Sequence, residues 1–282
     1  MTGNRQQADY WSSESGVKWI TFEQELDVVF EAVNTALIQR AAPEPGEKVL
    51  DIGCGTGATT RAFSPHLVPN GRITALDISE PLISQSKLRA KDGPEISQYY
   101  LMDAQHEKIP GAPFDLVISR FGVMFFSNPV VAFSNIRRHM NPDGRLMIAA
   151  WAEITNNPWF ESPRDAAVAR LGPPDKSEPH APGPLGFQNV KHVTGILSDA
   201  GFQNVTGETA EIELLHPGPL ESVAALASNI GPAARRLKKY RGSEEDIEAI
   251  KLFVLNKFRP FETTQGIRIP ARLNFFSAQN AG

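Results

Sequence analysis

Cysteine is nearly absent: Cys54 is the only one in 282 residues. A lone thiol makes no disulfide and no cysteine-based metal centre within one chain, which fits a reducing compartment. Positive charge is also short. Net charge is −4, so the global basic footprint of a nucleic-acid binder is missing. One local cluster, Arg235, Arg236, Lys238, Lys239 and Arg241, runs against this, and it reads as a solvated helix face and its end. No apolar run reaches the roughly 18 residues of a transmembrane helix. The polar start, MTGNRQQADYWSSESG, has no apolar h-region, so no secretory leader is expected and the chain reads as cytoplasmic.

What is present alternates. Thr21 to Arg40 reads as a helix, with Leu26, Val29, Phe30, Val33 and Leu37 on one face. Thr21 and Gln24 form a capping-box pattern at its start, and Pro43, Pro45 and Gly46 stop it. Strands are expected at 48–52, 72–77, 96–103, 114–121 and 145–151. Helices fall between them: one capped by Ser79 and ending near Gly93, another by Asn128-Pro129 and ending at the turn NPDG (141–144). Strand–helix alternation of this kind predicts a parallel sheet covered on both faces.

The pattern changes after Trp151. Residues 172–186, GPPDKSEPHAPGPLG, hold five prolines and three glycines, which suits either a surface connection or a lid. A helix stopped by Gly201 follows, then a strand at 208–215. Two amphipathic helices come next, one over Leu220–Ile230 and one capped by Ser243. The last strand is 266–279, where Pro270 argues for an edge or a bulge.

The informative stretch is VLDIGCGTGATT, residues 49–60. Gly53, Gly55 and Gly57 lie between a strand and a helix, so a ligand can approach bare backbone at a positive helix terminus. Alone this is ambiguous: Ala58 completes the G-x-G-x-x-A dinucleotide fingerprint, and Asp77 follows Gly53 at a suitable spacing. Three carboxylates sharpen the reading. Asp51, Asp77 and Asp103 sit at the ends of neighbouring strands, where a doubly wound sheet forms its ligand crevice. Asp77 suits a pair of ribose hydroxyls, Asp103 an adenine amine and Asp51 an ammonium group. Such a ligand has adenosine at one end and a cation at the other, not a pyrophosphate.

DIGCGTG resembles the D/E-x-G-x-G-x-G loop of class I S-adenosylmethionine-dependent methyltransferases. LDIS (76–79) and MDAQHEKIP (102–110) are similar to their second- and third-strand motifs, the latter as in relatives of the ubiquinone/menaquinone-biosynthesis C-methyltransferases. FDLVISRFGVMFFSNPVVAF (114–133) and GRLMIAAW (144–151) extend the resemblance over about residues 47–151. It implies a Rossmann-like α/β fold with a seven-stranded, mostly parallel sheet and an antiparallel last strand. It implies S-adenosylmethionine as cofactor and S-adenosylhomocysteine as product. Gly53, Gly55 and Gly57 would pass the methionine part and ribose, Asp77 and Ile78 the ribose and adenine face, Asp103 and Ala104 the adenine. Ser119 and Arg120 would lie beside the methionine moiety, with Arg120 a departure that suits the cofactor carboxylate or the substrate.

The expected layout is an N-terminal helical cap (1–44), a cofactor-binding core (45–153), a proline-rich lid (154–190), and the rest of the core (191–282) with a helical insertion near 217–264. Tyr10, Trp11 and Trp19 either pack the cap or close over the ligands, Trp11 on the cofactor side. Phe121, Met124, Phe125 and Trp159 are candidates to line a pocket for a small apolar or aromatic acceptor. No signature names a general base; His106, which follows Asp103, is the best candidate. No metal site, nucleic-acid partner or membrane insertion is expected, and oligomeric state is open. The alternatives are a nucleic-acid or protein methyltransferase, a nicotinamide oxidoreductase and a non-catalytic cofactor-binding regulator. The first lacks the Asn/Asp-Pro-Pro-aromatic signature and the second a Tyr-x-x-x-Lys pair; fold alone does not exclude the regulator.

Overall fold

The computed structural model describes residues 4–92, 96–173 and 180–281. The expected helix end at Gly93 and positions 174–179 of the proline-rich stretch lie outside them. Five parallel strands form the floor: β1 (Lys48–Ile52), β2 (Arg72–Asp77), β3 (Ser97–Leu101), β4 (Phe114–Arg120) and β5 (Met140–Trp151). β6 (Gln203–His216), the two-residue β7 (Glu262–Thr263) and β8 (Gly266–Gln279) complete the sheet. The order is β3-β2-β1-β4-β5-β8-β6, with β7 paired to β8. β8 is antiparallel to both β5 and β6. The expected seven-stranded frame is therefore present, with β7 as a short addition. The order turns back between β1 and β4, which places the crevice at the ends of those strands.

The covering helices are α5 (Ala58–Phe63), α6 (Glu80–Arg89), α7 (Pro129–Arg138) and α9 (Val190–Asp199). The caps read from the sequence form: Ser79 Oγ accepts from Leu82 N, and Asn128 Oδ1 from Val131 N. β5 begins earlier than expected. NPDG lies inside it, with Asp143 at φ 63°, and the register against β4 shifts there. Pro270 pairs with Glu213 of β6, beyond the last β5 partner at Leu273, so β8 is open to β5 on that side.

The N-terminal cap differs from its reading. It is four short helices: α1 (Arg5–Trp11), α2 (Glu14–Thr21), α3 (Glu23–Val29) and α4 (Glu31–Ala41). Thr21 caps nothing; its hydroxyl donates back to Val17 O inside α2. The capping-box pattern is thus spent on an i−4 bond. The apolar face assigned to one helix is real, but it is shared by α3 and α4 across a break at Phe30, whose φ is −98° and ψ 11°.

Two sets of helices sit above the strand ends. α8 (Pro158–Leu171) follows β5, and α10 (Leu220–Asn229), α11 (Gly231–Tyr240) and α12 (Glu244–Phe258) lie between β6 and β8. The sequence reading gave two helices here. Gly231 at φ 68° followed by Pro232 in the first turn separates α10 from α11. The insertion leaves the sheet at His216 and returns beside it, since His216 pairs with Ile267. That base is tight: a Cβ on Gly266, whose φ is 118°, would lie 2.4 Å from His216 O.

Candidate active site

The ends of β1, β2 and β4 open into a cavity of about 420 Å³ roofed by α1, α2 and α11. Its floor contains the glycine loop, and the three glycines serve different ends. A Cβ on Gly53 would lie 2.5 Å from Gly122 Cα, so the loops after β1 and β4 touch backbone to backbone. Gly57, at φ 84°, is the N-cap of α5 and faces Ser86 and Tyr99 rather than the cavity. Gly55, at φ 57°, has no atom within 4 Å of the place its Cβ would take, and it lines the cavity. Only this glycine is kept small by open space plus a left-handed backbone.

The carboxylates separate in the same way. Asp77 lines the cavity and accepts from two backbone amides, Gly55 N on Oδ2 and Ser79 N on Oδ1, each at 2.9 Å. Burial raises its pKa, against the lowering by those amides. Asp103 also lines the cavity. Its Oδ1 accepts from Asn4 Nδ2 at 2.8 Å and Gln105 N at 2.9 Å. Asn4 Oδ1 in turn accepts from Ser127 N at 2.9 Å, so the start of the chain clasps the β3 end to the loop after β4. Asp51 does not line the cavity. It is fully buried beneath the loop, where Oδ2 accepts from the Thr60 hydroxyl at 2.6 Å and, among the described residues, Oδ1 has no partner. Burial pushes its pKa up to about 6.

Ile78, Ala104 and Arg120 line the cavity as expected. Ser119 does not: it is buried and its hydroxyl donates to Ile52 O at 2.7 Å, joining β4 to β1. His106 is exposed and outside the cavity wall. The turn after Asp103 carries Gln105 inward instead, where Oε1 accepts from Ser127 Oγ and Asn128 N at 3.2 and 3.0 Å. Among the described residues no histidine lines the cavity.

The aromatic candidates converge. Tyr10, Trp11, Trp19, Phe121, Met124, Phe125 and Trp159 all line the cavity. Trp11 meets Trp19 and Phe125 edge-on at 6.0 and 5.2 Å, and its carbonyl accepts from Ser79 Oγ at 2.9 Å. Phe121 stacks on Trp151 at 4.7 Å and 10°. It does so at φ 65°, a conformation rare for a bulky side chain, which marks the turn after β4 as strained.

Sequence reasoning missed the walls from non-local elements: Phe30 and Trp151, and Ile230, Arg235, Leu237 and Lys238 of the insertion. Pro184 of the proline-rich stretch reaches the wall too, and Gly183 N donates to Met124 O nearby. It also missed a charged brace. Arg89 of α6 bonds Thr56 Oγ1 in the glycine loop at 2.9 Å and pairs with Glu23 and Asp27 of α3. Arg61 joins Asp27 at 3.0 Å.

A sheet of order β3-β2-β1-β4-β5-β8-β6 with an antiparallel β8, and a glycine loop at its switch point, has the class I methyltransferase fold. Residues 50–148 match the family described as a methyltransferase domain. The ubiquinone/menaquinone biosynthesis C-methyltransferase of Ralstonia pickettii is 33% identical over 117 residues, which is 42% of this chain and 48% of that protein. The chain therefore spans about half the length of the curated relatives it matches. Among solved structures, phosphoethanolamine N-methyltransferase 2 of Haemonchus contortus, in complex with S-adenosyl-L-methionine, has a TM-score of 0.61 at 17% identity, covering 98% of this chain and 60% of that one. The [4+2]-cyclase SpnF shares the fold at a TM-score of 0.53 and 16% identity, covering 88% of this chain and 80% of its own. No helix of the described residues is long and apolar enough to cross a membrane.

Proposed function

We propose that the chain is an S-adenosylmethionine-dependent methyltransferase whose acceptor is a small apolar or aromatic molecule. The observation that carries the reading is the engagement of Asp77 with the glycine loop. Its carboxylate takes up Gly55 N, a donor that a pyrophosphate would need, and it puts negative charge where a phosphate would sit. The same arrangement suits ribose hydroxyls, because Asp77 lines the cavity and a carboxylate oxygen can accept more than one hydrogen bond. The open space at Gly55 fits a ligand that lies against the loop.

When bound, S-adenosylmethionine supplies a methyl group activated by its sulfonium. The residues then have positional tasks. Gly53 and Gly55 border the methionine part, Asp77 and Ile78 the ribose and adenine face, and Asp103 with Ala104 the adenine edge. Asp51 adds negative charge from below the loop. The aromatic walls exclude water and hold an acceptor in line with the methyl–sulfur bond. A base is required only for a protonated nucleophile, and His106 stands outside the wall.

A thermal-shift comparison of S-adenosylhomocysteine with NAD(H) and NADP(H) tests the reading. At about 100 times its dissociation constant S-adenosylhomocysteine should stabilise by roughly 2.7 kcal/mol, with no shift from the nicotinamide cofactors. Absence of any shift with S-adenosylhomocysteine would sink it.

A further inference from the structure

Arg120 is underused. Among the described residues its guanidinium makes one hydrogen bond, from Nη1 to Phe30 O at 3.5 Å, and its Nε is buried without a partner. Among the described residues no carboxylate lies within ion-pair distance, although the charges of Asp27 and Asp51 are felt. Its other neighbour is the Phe30 ring, 5.5 Å from the guanidinium carbon. A guanidinium offers five N–H donors in a planar fork. A half-buried charge on a cavity wall, with most of its donors not used by the protein, favours an arriving anion. Burial lowers the pKa to about 10, which leaves the group cationic at neutral pH.

A second observation points the same way. The whole chain carries a net charge of −4, yet the charged residues that the cap and the insertion lend to the cavity are mainly cationic: Lys18, Arg235 and Lys238 against Glu14. Glu14 is shared by Lys18 at 3.6 Å and Lys238 at 3.8 Å. Arg235 lies over the Tyr10 ring at 5.1 Å. The Lys238 side chain is 57% exposed, so this group stands at the outer edge and meets an incoming ligand first. Positive potential at the entrance and an underused arginine inside form a path for an anion.

We propose that the cavity takes an aromatic carboxylate as its acceptor, with the charge held on Arg120 and drawn in by Lys18, Arg235 and Lys238. This rests on the methyltransferase reading and narrows its substrate class. The walls of Phe30, Phe121, Trp151 and Trp159 supply flat apolar contact, and Arg120 supplies the charge partner. An acceptor that enters ionised needs no proton acceptor, which accords with a wall free of histidine among the described residues.

The test uses matched pairs, 4-hydroxybenzoate with 4-hydroxybenzamide and 1-naphthoate with 1-naphthamide, titrated by calorimetry into protein with and without S-adenosylhomocysteine. At least one acid should bind about tenfold or more tighter than its amide, in line with a charge-assisted hydrogen bond. The preference should shrink with added salt, disappear in Arg120→Gln and survive in part in Arg120→Lys. An amide that binds as well as its acid overturns the proposal, as does the absence of binding by every acid in the millimolar range. A preference that persists in Arg120→Gln also overturns it. If Arg120→Gln instead weakens S-adenosylhomocysteine about tenfold with the acid preference unchanged, the arginine serves the cofactor carboxylate and the proposal fails. Should the variants not fold, the acid–amide comparison on the unaltered protein still decides. Failure of S-adenosylhomocysteine to bind the unaltered protein counts against the methyltransferase reading, whereas the comparison without it judges the anion site on its own.

Discussion

Replacing Gly16 with alanine should loosen the roof of the cavity while sparing the sheet. Gly16 lies in α2, and an added Cβ would stand 1.9 Å from the carbonyl oxygen of Trp11 and 3.1 Å from its carbon. Both are backbone atoms, so α1 or α2 must move. The same carbonyl accepts from Ser79 Oγ, and the movement therefore breaks the tie between roof and floor. Overpacking of this kind costs about 1–3 kcal/mol. None of the α1 residues is fully buried, so the strain has an outlet: α1 can swing away and surrender its contacts without opening the core. The bound state would then lose Trp11 and the Asn4 clasp on Asp103. The expected result is a fall in S-adenosylhomocysteine affinity of roughly 5- to 150-fold, the equivalent of that strain, with the melting temperature of the ligand-free protein almost unchanged. Calorimetric titration and a thermal melt of Gly16→Ala read the two quantities. Unchanged affinity in a folded variant would refute the role given to α1. A large drop in the ligand-free melting temperature would refute the separation of roof from core.

Four further outcomes follow from the same geometry. Asp77→Asn replaces an acceptor facing Gly55 N with an amide and should weaken S-adenosylhomocysteine about tenfold or more, since a hydrogen bond to a charged group is worth about 1.5–3 kcal/mol; calorimetry reads it. Asp51 has its ordinary value of 3.8 raised to about 6, so the folded state holds its proton more tightly and loses stability as pH climbs between those values. Relative to Asp51→Asn, the unaltered protein should lose on the order of 2 kcal/mol between pH 4 and pH 7, seen in urea melts at both; a constant difference would contradict the buried, half-partnered carboxylate. Gly122→Ala would push a Cβ to 2.5 Å from Ile52 O and should lower global stability by at least about 1–3 kcal/mol. Gly55→Ala meets nothing within 4 Å, so it should cost less, about 1–2 kcal/mol for the left-handed backbone, yet impair ligand binding more than folding; thermal melts with and without ligand separate the two.

Legibility in the sequence followed the range of the interactions. The strand–loop–helix at 48–63 is local, and its glycines and acidic neighbours announce a ligand crevice before any fold is known. The mostly parallel sheet and its antiparallel last strand were expected from the family resemblance, and the structure has both. The cap was misjudged because Thr21 and Gln24 satisfy a local pattern while the Thr21 hydroxyl bonds to Val17 O. Asp51, Ser119 and Gly57 were expected to face the ligand because they neighbour residues that line the cavity. Alternation along β1 and β4 turns Asp51 and Ser119 into the interior, and Gly57 closes against Tyr99 and Ser86. The contributions of Ile230, Leu237 and Lys238 could not be read, because nothing local in a helix some 180 residues downstream of the glycine loop says where it will dock.

The pinched base of the helical insertion has a consequence for how this protein can diversify. Residues 217–265 depart from β6 and rejoin at β8 through the His216–Ile267 pair, so the ends of the excursion are already held together by the sheet. The entropy of closing that loop is met by strand pairing and grows only slowly with length. The excursion is therefore free to lengthen, shorten or be exchanged without re-registering β5, β8 or β6. Since it carries Arg235, Leu237 and Lys238 to the cavity, a graft of this segment from one relative to another would transplant part of the cavity roof and leave the glycine-loop floor as it was.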